Sequence, residues 1–505
     1  MTTPSLTGAP PPLPDRPAVL RRSARLAEVD GLLPWALEAQ ATADRRRATL
    51  ARDAERLSSP RLWPDTIGSL ASTTWRVARA AAPDAPVALL SAAAAATGLP
   101  IAPPPASDGT IERANRLVRA GGPAYVKLGQ FIASAQGLLP DEWVDAFAWC
   151  RDEAPPMAPG AAEDVVRREL GDLDTFASFD PEPLAAGSIG QVHRARLQDG
   201  TEVVVKVRRP GLRRAFRSDI ETLALVCAAA DRVHPGVRAA NLPGFVTLFA
   251  QLTLEELDFR LEAANLVESV AVLEDLGADD VRVPRPVPAL TTERLLVMEL
   301  LPGVSYTRLG GEALADGAGE RLFAAGVRGV LEATIVHGLF HGDLHAGNVL
   351  VDGDRFSMVD FGMCGRLDAA QRAGLVRFLL GFAASDARAQ VEAMRTFGAI
   401  REDGDVDALV ERLQVDLSRL DARADGQVTF DRLGETLAGL LRTLAAGGFR
   451  MPKELVLFFK NLLYLSGFAA SVAPDADVLA VVSAILTDLF ARDDGALATG
   501  LLPAA

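Results

Sequence analysis

The stretch "HGDLHAGN", residues 341–348, decides how the chain is interpreted. It carries Asp343 two residues after His341 and Asn348 five residues further on, and "VDFG" places Asp360 seventeen residues after Asp343. In phosphoryl transfer one carboxylate orients the attacking hydroxyl, while an amide oxygen and a second carboxylate hold Mg²⁺ against the nucleotide phosphates. The order and spacing of these residues match those of a kinase catalytic loop and its downstream aspartate. The stretch therefore predicts a catalytic loop for phosphoryl transfer.

Two other interpretations of the same stretch have to be weighed. His337, His341 and His345 recur every four residues, as metal ligands on one helix face would. Gly338 and Gly342 interrupt such a helix, and no Glu or Cys completes the ligand set. The eight residues also fit an ordinary Asp-Gly turn with incidental polar neighbours. The residues upstream favour the catalytic loop over both.

A second pattern lies upstream, in "AAGSIGQV" (185–192) and in the Val-rich "VVVKV" (203–207). A nucleotide-binding lobe needs a turn whose backbone N–H groups approach phosphates, followed by a strand lysine that pairs with them. The kinase pattern GxGxxGxV reads AxGxxGxV here, with Ala185 at the first glycine position. A lysine in such a strand is otherwise a solvent-facing residue. The downstream loop is what favours a nucleotide role for Lys206.

A strand lysine of this kind needs a glutamate from a helix to hold it in place. The segment "LEELDFRLEAANL" (254–266) offers Glu255, Glu256, Asp258 and Glu262. Because Glu256 and Glu262 are six residues apart, they cannot occupy one position on a helix face, and we expect them to serve different partners. The alternative for any one of these acids is a solvated helix face.

Length and composition describe an ordinary globular protein. The 505 residues suit two to four structural units, 49% of them are hydrophobic and 23% charged, and an excess of alanine favours helix. The formal net charge of −14 argues against nucleic acid as a partner, because phosphate binding needs a basic face. The three cysteines, Cys150, Cys227 and Cys364, lie far apart without a CxxC pair, which predicts buried thiols in a reducing compartment.

No targeting or membrane-spanning segment is predicted. The N-terminal "PSLTGAPPPLPDRP" is rich in proline instead of basic and then apolar, unlike a signal peptide. The longest apolar runs, residues 87–102 and 478–486, are shorter than the roughly 18 residues a span requires. We therefore expect a cytoplasmic protein, with peripheral contact to a membrane as the alternative for its amphipathic stretches.

Apolar periodicity and turn signals predict the order of elements. Residues 1–17 are expected to be disordered, 18–80 helical, and 81–107 a linker around one Ala-rich helix. The next predictions are two or three helices over 110–149 broken at residues 121–123 and at Pro140, a hairpin of 188–197 with 201–209, and a long helix around 243–270. Strands are predicted at 281–290, 292–301, 348–353 and 356–362, and the last 130 residues are predicted to be helical, with one helix opened by Pro452.

Six motifs in order carry a resemblance to a known family. They are "YVKLGQ" (125–130), "AAGSIGQVHRA" (185–195), "VVVKV" (203–207), "EELDFRLEAAN" (255–265), "FHGDLHAGN" (340–348) and "VDFG" (359–362). From about 110 to 470 the chain resembles the UbiB/AarF-type atypical kinases, also called the ADCK family. The resemblance implies an α+β, protein-kinase-like bilobal fold. The implied domains are an N-terminal extension (1–107), a helical KxGQ region (108–165), a small mixed N-lobe (166–302) and a helical C-lobe (303–500).

The resemblance also implies roles for individual residues. Lys206 would pair with Glu262, Asp343 would be the catalytic aspartate, and Asn348 and Asp360 would be the magnesium ligands. The implied family motifs are KxGQ with Lys127, Gly129 and Gln130, in contact with ExD, here Glu256 and Asp258. The implied nucleotide-binding residues are Ala185, Ala186, Gly187, Ser188, Ile189, Gly190, Val192, Lys206, Glu299 and Leu301.

ATP or ADP and Mg²⁺ are the cofactors that the resemblance implies, in the setting of ubiquinone (isoprenoid-quinone) biosynthesis or other lipid metabolism. Adenine nucleotide and a lipid or quinone precursor are the implied partners. Two features depart from the family. Gly187 replaces the third alanine of the family loop, so the nucleotide preference of the family does not carry over. The C-terminal "DLFARDDGALATGLLPAA" lacks the membrane-spanning helices of some members.

Only about seven residues separate Asp360 from the helix predicted to start near Asp368. Protein kinases place a longer segment there to dock a peptide, so we expect phosphorylation of a small molecule or lipid, or ATP hydrolysis. The loop also resembles that of aminoglycoside and choline phosphotransferases, which leaves a small-molecule phosphotransferase as one alternative. A nucleotide-binding scaffold without chemistry is the other. The basic "KVRRPGLRRAFR" (206–217) is a candidate for contact with an anionic membrane or a diphosphate, the alternative being a solvated surface.

Overall fold

The computed structural model describes residues 13–59, 85–95, 109–134, 139–152, 155–233, 242–309, 317–384, 386–397, 406–421, 453–474, 476 and 478–491. The chain divides into two compact units. The first unit comprises residues 29–267 and 284–300, and the second unit comprises residues 1–28, 268–283 and 301–505.

The helices of the described residues are numbered along the chain. Those before the strands are α1 (Arg16–Arg22), α2 (Ala24–Ala27), α3 (Leu32–Ser58), α4 (Ala85–Ala95), α5 (Thr110–Ala120), α6 (Pro123–Ala133), α7 (Asp141–Phe147), α8 (Trp149–Asp152) and α9 (Ala161–Leu170). The later ones are α10 (Leu212–Val233), α11 (Leu242–Glu256), α12 (Phe259–Asp275), α13 (Ala318–Glu332), α14 (Ala369–Ala383), α15 (Ala387–Thr396), α16 (Val406–Asp421), α17 (Lys453–Val472) and α18 (Val478–Ala491).

The strands of the described residues are β1 (Phe176–Ala186), β2 (Gly190–Leu197), β3 (Glu202–Arg208), β4 (Val281–Arg282), β5 (Leu295–Glu299), β6 (Val304–Ser305), β7 (Leu339–His341), β8 (Val349–Asp352), β9 (Arg355–Met358) and β10 (Cys364–Arg366). The first unit contains an antiparallel sheet in the order β1-β2-β3-β5. The predicted hairpin is confirmed, since β2 and β3 pair along their whole length.

The core of the first unit explains why β3 is rich in valine. Val203, Val205 and Val207 are fully buried and pack with Val166 of α9. Because side chains alternate across a strand, Lys206 lies on the opposite face of the sheet from these valines. The alternation thus sends three side chains into the core and leaves the lysine on the other face.

Strand β1 was not predicted, because Pro181 and Pro183 interrupt its sequence. Proline cannot donate to a strand ladder and is therefore confined to edges and bulges. The structure places β1 at the edge of the sheet, and its register with β2 shifts on both sides of Pro183. The irregular edge accommodates both prolines.

The region 110–149 forms separate helices that break at residues 121–123 and at Pro140, as predicted. Pro123 occupies the first turn of α6, where its missing N–H costs nothing. A Cβ at Gly129 would lie 2.5 Å from the sulfur of Cys150, so glycine is what lets α6 pack this closely against α8. Burial raises the pKa of Cys150 to about 12. All three cysteines are buried and reduced, as predicted.

The long helix predicted around 243–270 is wrong in one respect, because α11 and α12 are separate helices. Asp258 stands between them and accepts a hydrogen bond on Oδ1 from the backbone N–H of Arg260, at 3.2 Å. This is the bond of an N-cap residue, which starts a new helix. The break gives the two helices independent directions within the acidic segment.

The second unit contains a sheet in the order β4-β9-β8-β6 and a separate pair of β7 with β10. The strand predicted at 348–353 is confirmed as β8, and the one predicted at 356–362 is confirmed only as far as Met358, where β9 ends. The strand predicted over 281–290 is wrong beyond Val281–Arg282. Pro284, Pro286 and Pro288 follow, and each removes a backbone donor that a longer strand would need.

Helix α17 brings aromatic side chains into the core of the second unit. Phe468 packs edge-to-face on Phe356 and on Tyr306, each with ring centres 5.2 Å apart. Phe458 makes a similar contact with Phe340 at 5.8 Å. Such pairs favour a fixed orientation of the helix, which matters because other residues of α17 reach the predicted catalytic loop. The Pro452 prediction lies outside the described residues.

Part of the predicted N-terminal disorder is wrong, because Arg16 already opens α1; residues 1–12 lie outside the described residues. Three bonds tie α1 and α2 to the end of α12 within the second unit. Arg16 pairs with Glu268 at 3.1 Å, Arg22 pairs with Asp275 at 2.8 Å, and the Ser23 hydroxyl donates to Glu274. Among the described residues, none of the helices combines the length and hydrophobicity of a membrane-spanning helix.

Candidate functional site

The predicted phosphate loop connects β1 to β2 in the first unit. Ala185 and Ala186 end β1, opposite Val192 and Gln191, and the chain then turns through residues 187–189. Gly187 N–H donates to Gly190 O at 2.8 Å, which closes the turn.

The glycines of this turn have different constraints. A Cβ at Gly190 would collide with the backbone carbonyl of Val207. A Cβ at Gly187 would meet nothing closer than Gly190 O, at 3.8 Å. Gly190 is therefore required by the approach of β3, whereas position 187 has room for the alanine of related loops.

Lys206 and Glu262 form a buried ion pair in the first unit. Nζ lies 2.8 Å from Oε1 and 2.9 Å from Oε2, and the side chains are 11% and 2% exposed. Lys206 also lies over the ring of Phe259, with Nζ 5.3 Å from the ring centre. Strand β3 positions the Lys206 side chain, and the first turn of α12 positions the Glu262 side chain. The arrangement is the one a phosphate-binding lysine needs.

The "YVKLGQ" helix, α6, contacts two predicted motifs of the same unit. Lys127 Nζ lies 2.7 Å from Glu256 Oε2, and both side chains are buried. The Ser188 hydroxyl donates to Gln130 Oε1 at 3.1 Å, while Gln130 Nε2 donates to the carbonyl of Cys150 at 3.0 Å. The helix is thereby bonded both to the acidic segment and to the phosphate loop.

Asp258 has other partners than Lys127. Arg260 reaches it with two bonds of 2.7 Å, and Arg46 lies 3.6 Å away. Two of the predicted nucleotide-binding residues lie in or near β5. Glu299 accepts a bond of 2.8 Å from Arg285 Nε, and Leu301 belongs to the second unit. In the structure Glu256 therefore pairs with Lys127, whereas Asp258 pairs with arginines.

The predicted catalytic loop in the second unit is ordered by its first histidine. The N–H of Asp343 donates to His341 Nδ1 at 3.0 Å, so the ring proton must be on Nε2, which lies 3.1 Å from the carbonyl of Val359. Burial lowers the pKa of His341, against the opposing effects of the Val359 carbonyl and of nearby carboxylates. The neutral ring can make both bonds, accepting on Nδ1 and donating from Nε2. A second ring proton, on Nδ1, would remove the acceptor for the Asp343 N–H.

Asn348 and Asp360 carry the types of oxygen ligand that a magnesium site uses. Asn348 Nδ2 donates to the carbonyl of Asp343 at 2.9 Å, which leaves the amide oxygen as the atom that suits a hard cation. Asp360 has φ of 61°, unusual for a residue other than glycine. Backbone conformations of this kind cluster at functional sites. One amide and one carboxylate leave several positions for water and phosphate, as Mg²⁺ prefers.

Two residues of α17 that the sequence analysis missed contact this loop. Lys460 Nζ lies 2.7 Å from Asp343 Oδ1. Asn461 accepts from the N–H of Leu344 at 3.2 Å and donates to the carbonyl of His341. The only signal in the sequence was a pair of polar residues inside the apolar run "VLFFKNLLYL".

The histidine metal site is not supported within the described residues, where no cluster of three or more His, Cys, Asp or Glu side chains could hold a metal ion. His337 ends a π-helical turn, Gly338 follows, and His341 lies in β7, so the histidines do not share a helix. His337 instead lies 3.3 Å from Asp275.

The basic stretch 206–217 is engaged within its own unit. Arg208 and Arg213 both pair with Glu293, at 3.0 and 3.1 Å. Arg209 donates to the carbonyls of Gly187 and Pro155. These contacts give the stretch a structural role beside the phosphate loop.

The segment after Asp360 is short, as predicted. Residues 364–366 form β10, which pairs with β7, and α14 begins at Ala369. The eight residues between Asp360 and α14 thus include a strand and leave no peptide-docking segment.

The chain is similar to several known proteins. The family model described as the ABC1 atypical kinase-like domain matches residues 150–394. An uncharacterized Mycobacterium tuberculosis protein is 35% identical over 362 residues, which cover 70% of this chain and 72% of that protein. A probable protein kinase UbiB of Azotobacter vinelandii is 31% identical over 366 residues, which cover 71% and 67%. Among solved structures, a Mycobacterium tuberculosis protein in complex with erythromycin has a TM-score of 0.44 at 22% identity, covering 72% of this chain and 95% of that one.

Proposed function

Because the chain belongs to the ABC1 family of atypical kinase-like proteins, which includes UbiB, we propose that it binds Mg²⁺-ATP and transfers or hydrolyses the terminal phosphoryl group. The observation that carries the proposal is the two-pronged pair of Lys206 with Glu262. Kinase chemistry requires this lysine–glutamate pair to be formed. A protein that had become a scaffold would be under no such requirement.

The first unit supplies the groups for nucleotide phosphates in this proposal. Backbone N–H groups of the turn at 188–190 accommodate phosphate oxygens, and Lys206 neutralises them. Glu262 holds Lys206 in one orientation by accepting from it on both carboxylate oxygens. Gln130 fixes the turn through the Ser188 hydroxyl. These residues bind and orient the nucleotide.

The second unit supplies the groups for the transfer step. Asn348 and Asp360 hold Mg²⁺, which when bound neutralises phosphate charge. Asp343 orients the attacking hydroxyl or water and accepts its proton as the new P–O bond forms and the bond to the leaving ADP oxygen breaks. His341 fixes the backbone of Asp343 through the bond to its N–H.

A small molecule or lipid is the acceptor that the structure favours over a peptide. The short segment between Asp360 and α14 supports this assignment, because peptide kinases use a longer segment there. The resemblance to the UbiB proteins, which implies isoprenoid-quinone biosynthesis, supports that pathway as the setting. We therefore propose isoprenoid-quinone or other lipid metabolism as the context of the activity.

Phosphate release from ATP with Mg²⁺, measured with and without detergent-dispersed isoprenoid quinones, tests the proposal. Asp343→Asn should reduce the rate by about 10²-fold or more. Asp354→Asn, on the exposed turn between β8 and β9, is the matched control and should behave as wild type. Equal rates for wild type and Asp343→Asn, together with undiminished nucleotide binding by calorimetry, would contradict the enzyme and favour a scaffold.

A further inference from the structure

Lysine is scarce in this chain, and its positions are informative. Of 52 lysine and arginine residues only four are lysines, namely Lys127, Lys206, Lys453 and Lys460. Lys127 and Lys206 each pair with a buried carboxylate in the first unit. An ammonium is a compact point charge, whereas a guanidinium is a broad planar fork. The scarcity of lysine in a chain that otherwise uses arginine directs attention to Lys460.

Lys460 pairs with the carboxylate of the predicted catalytic aspartate. Nζ lies 2.7 Å from Asp343 Oδ1, and the side chains are 13% and 17% exposed. The ring of Tyr464, one turn further along α17, lies 5.4 Å from the same nitrogen. Burial works to lower the pKa of Lys460, but Asp343 and Tyr464 outweigh it, so the pKa lies above its ordinary value. The side chain is therefore a fixed positive charge at neutral pH.

The backbone of the loop is held by other residues. Asn461 bonds the carbonyl of His341 and the N–H of Leu344. His341 Nδ1 accepts from the N–H of Asp343, and Asn348 donates to its carbonyl. Because these bonds fix the loop without Lys460, the bond from Lys460 acts on the Asp343 side chain.

Stability is a weak reason for such a pair. Burying two charges costs solvation that their attraction barely repays, and an apolar pair of similar volume is often as stable. The sequence of the loop itself contains no lysine. Two positions after the aspartate stands His345, whose Nε2 lies 3.9 Å from Asp343 Oδ2. The positive charge next to Asp343 is instead that of Lys460 on α17, 117 residues further along the chain.

We infer that Lys460 is a positioning residue for Asp343, holding its carboxylate in the orientation that receives the proton of the attacking hydroxyl. The inference rests on the proposed phosphoryl transfer and deepens it by adding a residue outside the known motifs of the loop. The aromatic contacts of Phe458 and Phe468 fix α17 in the core and so set the place of Lys460.

Steady-state phosphate release with ATP and Mg²⁺ tests this role in the full chain. Lys460→Met should lower kcat by about 100-fold, the cost of a misplaced catalytic group, and leave KM for ATP within about twofold. Lys460→Gln keeps a hydrogen-bond donor without the charge and should be as impaired. Lys460→Arg keeps the charge in a different shape and should recover part of kcat. Glu454→Gln, two turns earlier on α17, is the control and should match wild type.

The outcomes separate the inference from the proposed function. Wild-type kcat in Lys460→Met or Lys460→Gln overturns the positioning role and leaves the enzyme in place. A parallel rise in KM for ATP, with kcat retained, overturns it as well, because that result assigns Lys460 to nucleotide binding. Absence of ATP turnover in the wild type overturns the proposed function, and the inference with it. Should Lys460→Met fail to fold by circular dichroism, the Gln and Arg variants decide.

Discussion

Replacing Lys206 with methionine should destabilise the first unit, because it removes the ammonium that neutralises the buried Glu262 carboxylate. The carboxylate oxygens lie 2.8 and 2.9 Å from Nζ, and Glu262 is 2% exposed. At such a distance in an effective dielectric of about 20 the attraction is roughly 6 kcal/mol. Breaking a buried pair by removing one partner costs about 3–5 kcal/mol net. That loss is a large share of the about 5–15 kcal/mol by which domains are stable.

The double variant Lys206→Met/Glu262→Met is the control that separates charge from packing. Two methionines fill a similar volume without burying a charge, and apolar replacements of ion pairs are often neutral. Most of the lost free energy of unfolding should return. Nucleotide binding should be weakened in both variants, because each lacks the phosphate-binding cation.

Urea unfolding followed by tryptophan fluorescence is the assay. Trp35, Trp143 and Trp149 belong to the first unit, and the sequence has no tryptophan after residue 149. The signal therefore reports on the unit that carries the pair. If the single and double variants unfold at the same urea concentration, the cost lies in lost side-chain packing and the electrostatic reasoning is refuted.

Three further predictions concern other parts of the chain. Gly187→Ala should leave the thermal midpoint unchanged, whereas Gly190→Ala should lower it, because only the second Cβ meets backbone; equal midpoints would contradict this. Glu268→Gln should weaken the bond that holds Arg16 and so speed tryptic cleavage near residue 16, with an unchanged cleavage rate as the opposing result. Burial lowers the pKa of His341 from 6.5 in the folded state. The imidazole therefore binds a proton more readily in the unfolded state than in the folded state. Stability should be retained above that pH and fall below it, and His341→Asn should show a smaller fall in thermal midpoint between about pH 7 and pH 5.

Local patterns predicted the elements that are set by neighbours in sequence. The β2–β3 hairpin follows from two Val-rich runs around a glycine turn, and the breaks in the helices of 110–149 follow from glycine and proline. Strand β1 was missed because its two prolines contradict the ordinary strand pattern. The helix break at Asp258 was missed although an aspartate before a new helix is an N-cap signal, because the apolar spacing continues through it.

Contacts between distant residues were predicted only where a family pattern named both partners. Lys206 and Glu262 are 56 residues apart, and nothing in the spacing of either segment specifies the other. The resemblance supplied that pair. It did not supply Lys460, since a lysine inside an apolar helical run has the same appearance whether its amine faces solvent or a buried carboxylate.

Residue usage offers a criterion that periodicity lacks. A compact ammonium and a planar guanidinium are exchangeable at most exposed positions, and the cations of this chain are nearly all arginine. Positions that face one carboxylate at close range suit the smaller ammonium, although arginine also pairs with buried carboxylates in this chain, as Arg366 does with Glu268. Lys127, Lys206 and Lys460 each face a carboxylate oxygen at 2.7–2.8 Å. These three pairs share one geometry, an ammonium against a carboxylate oxygen, which groups Lys460 and Asp343 with the pair that carries the proposed function.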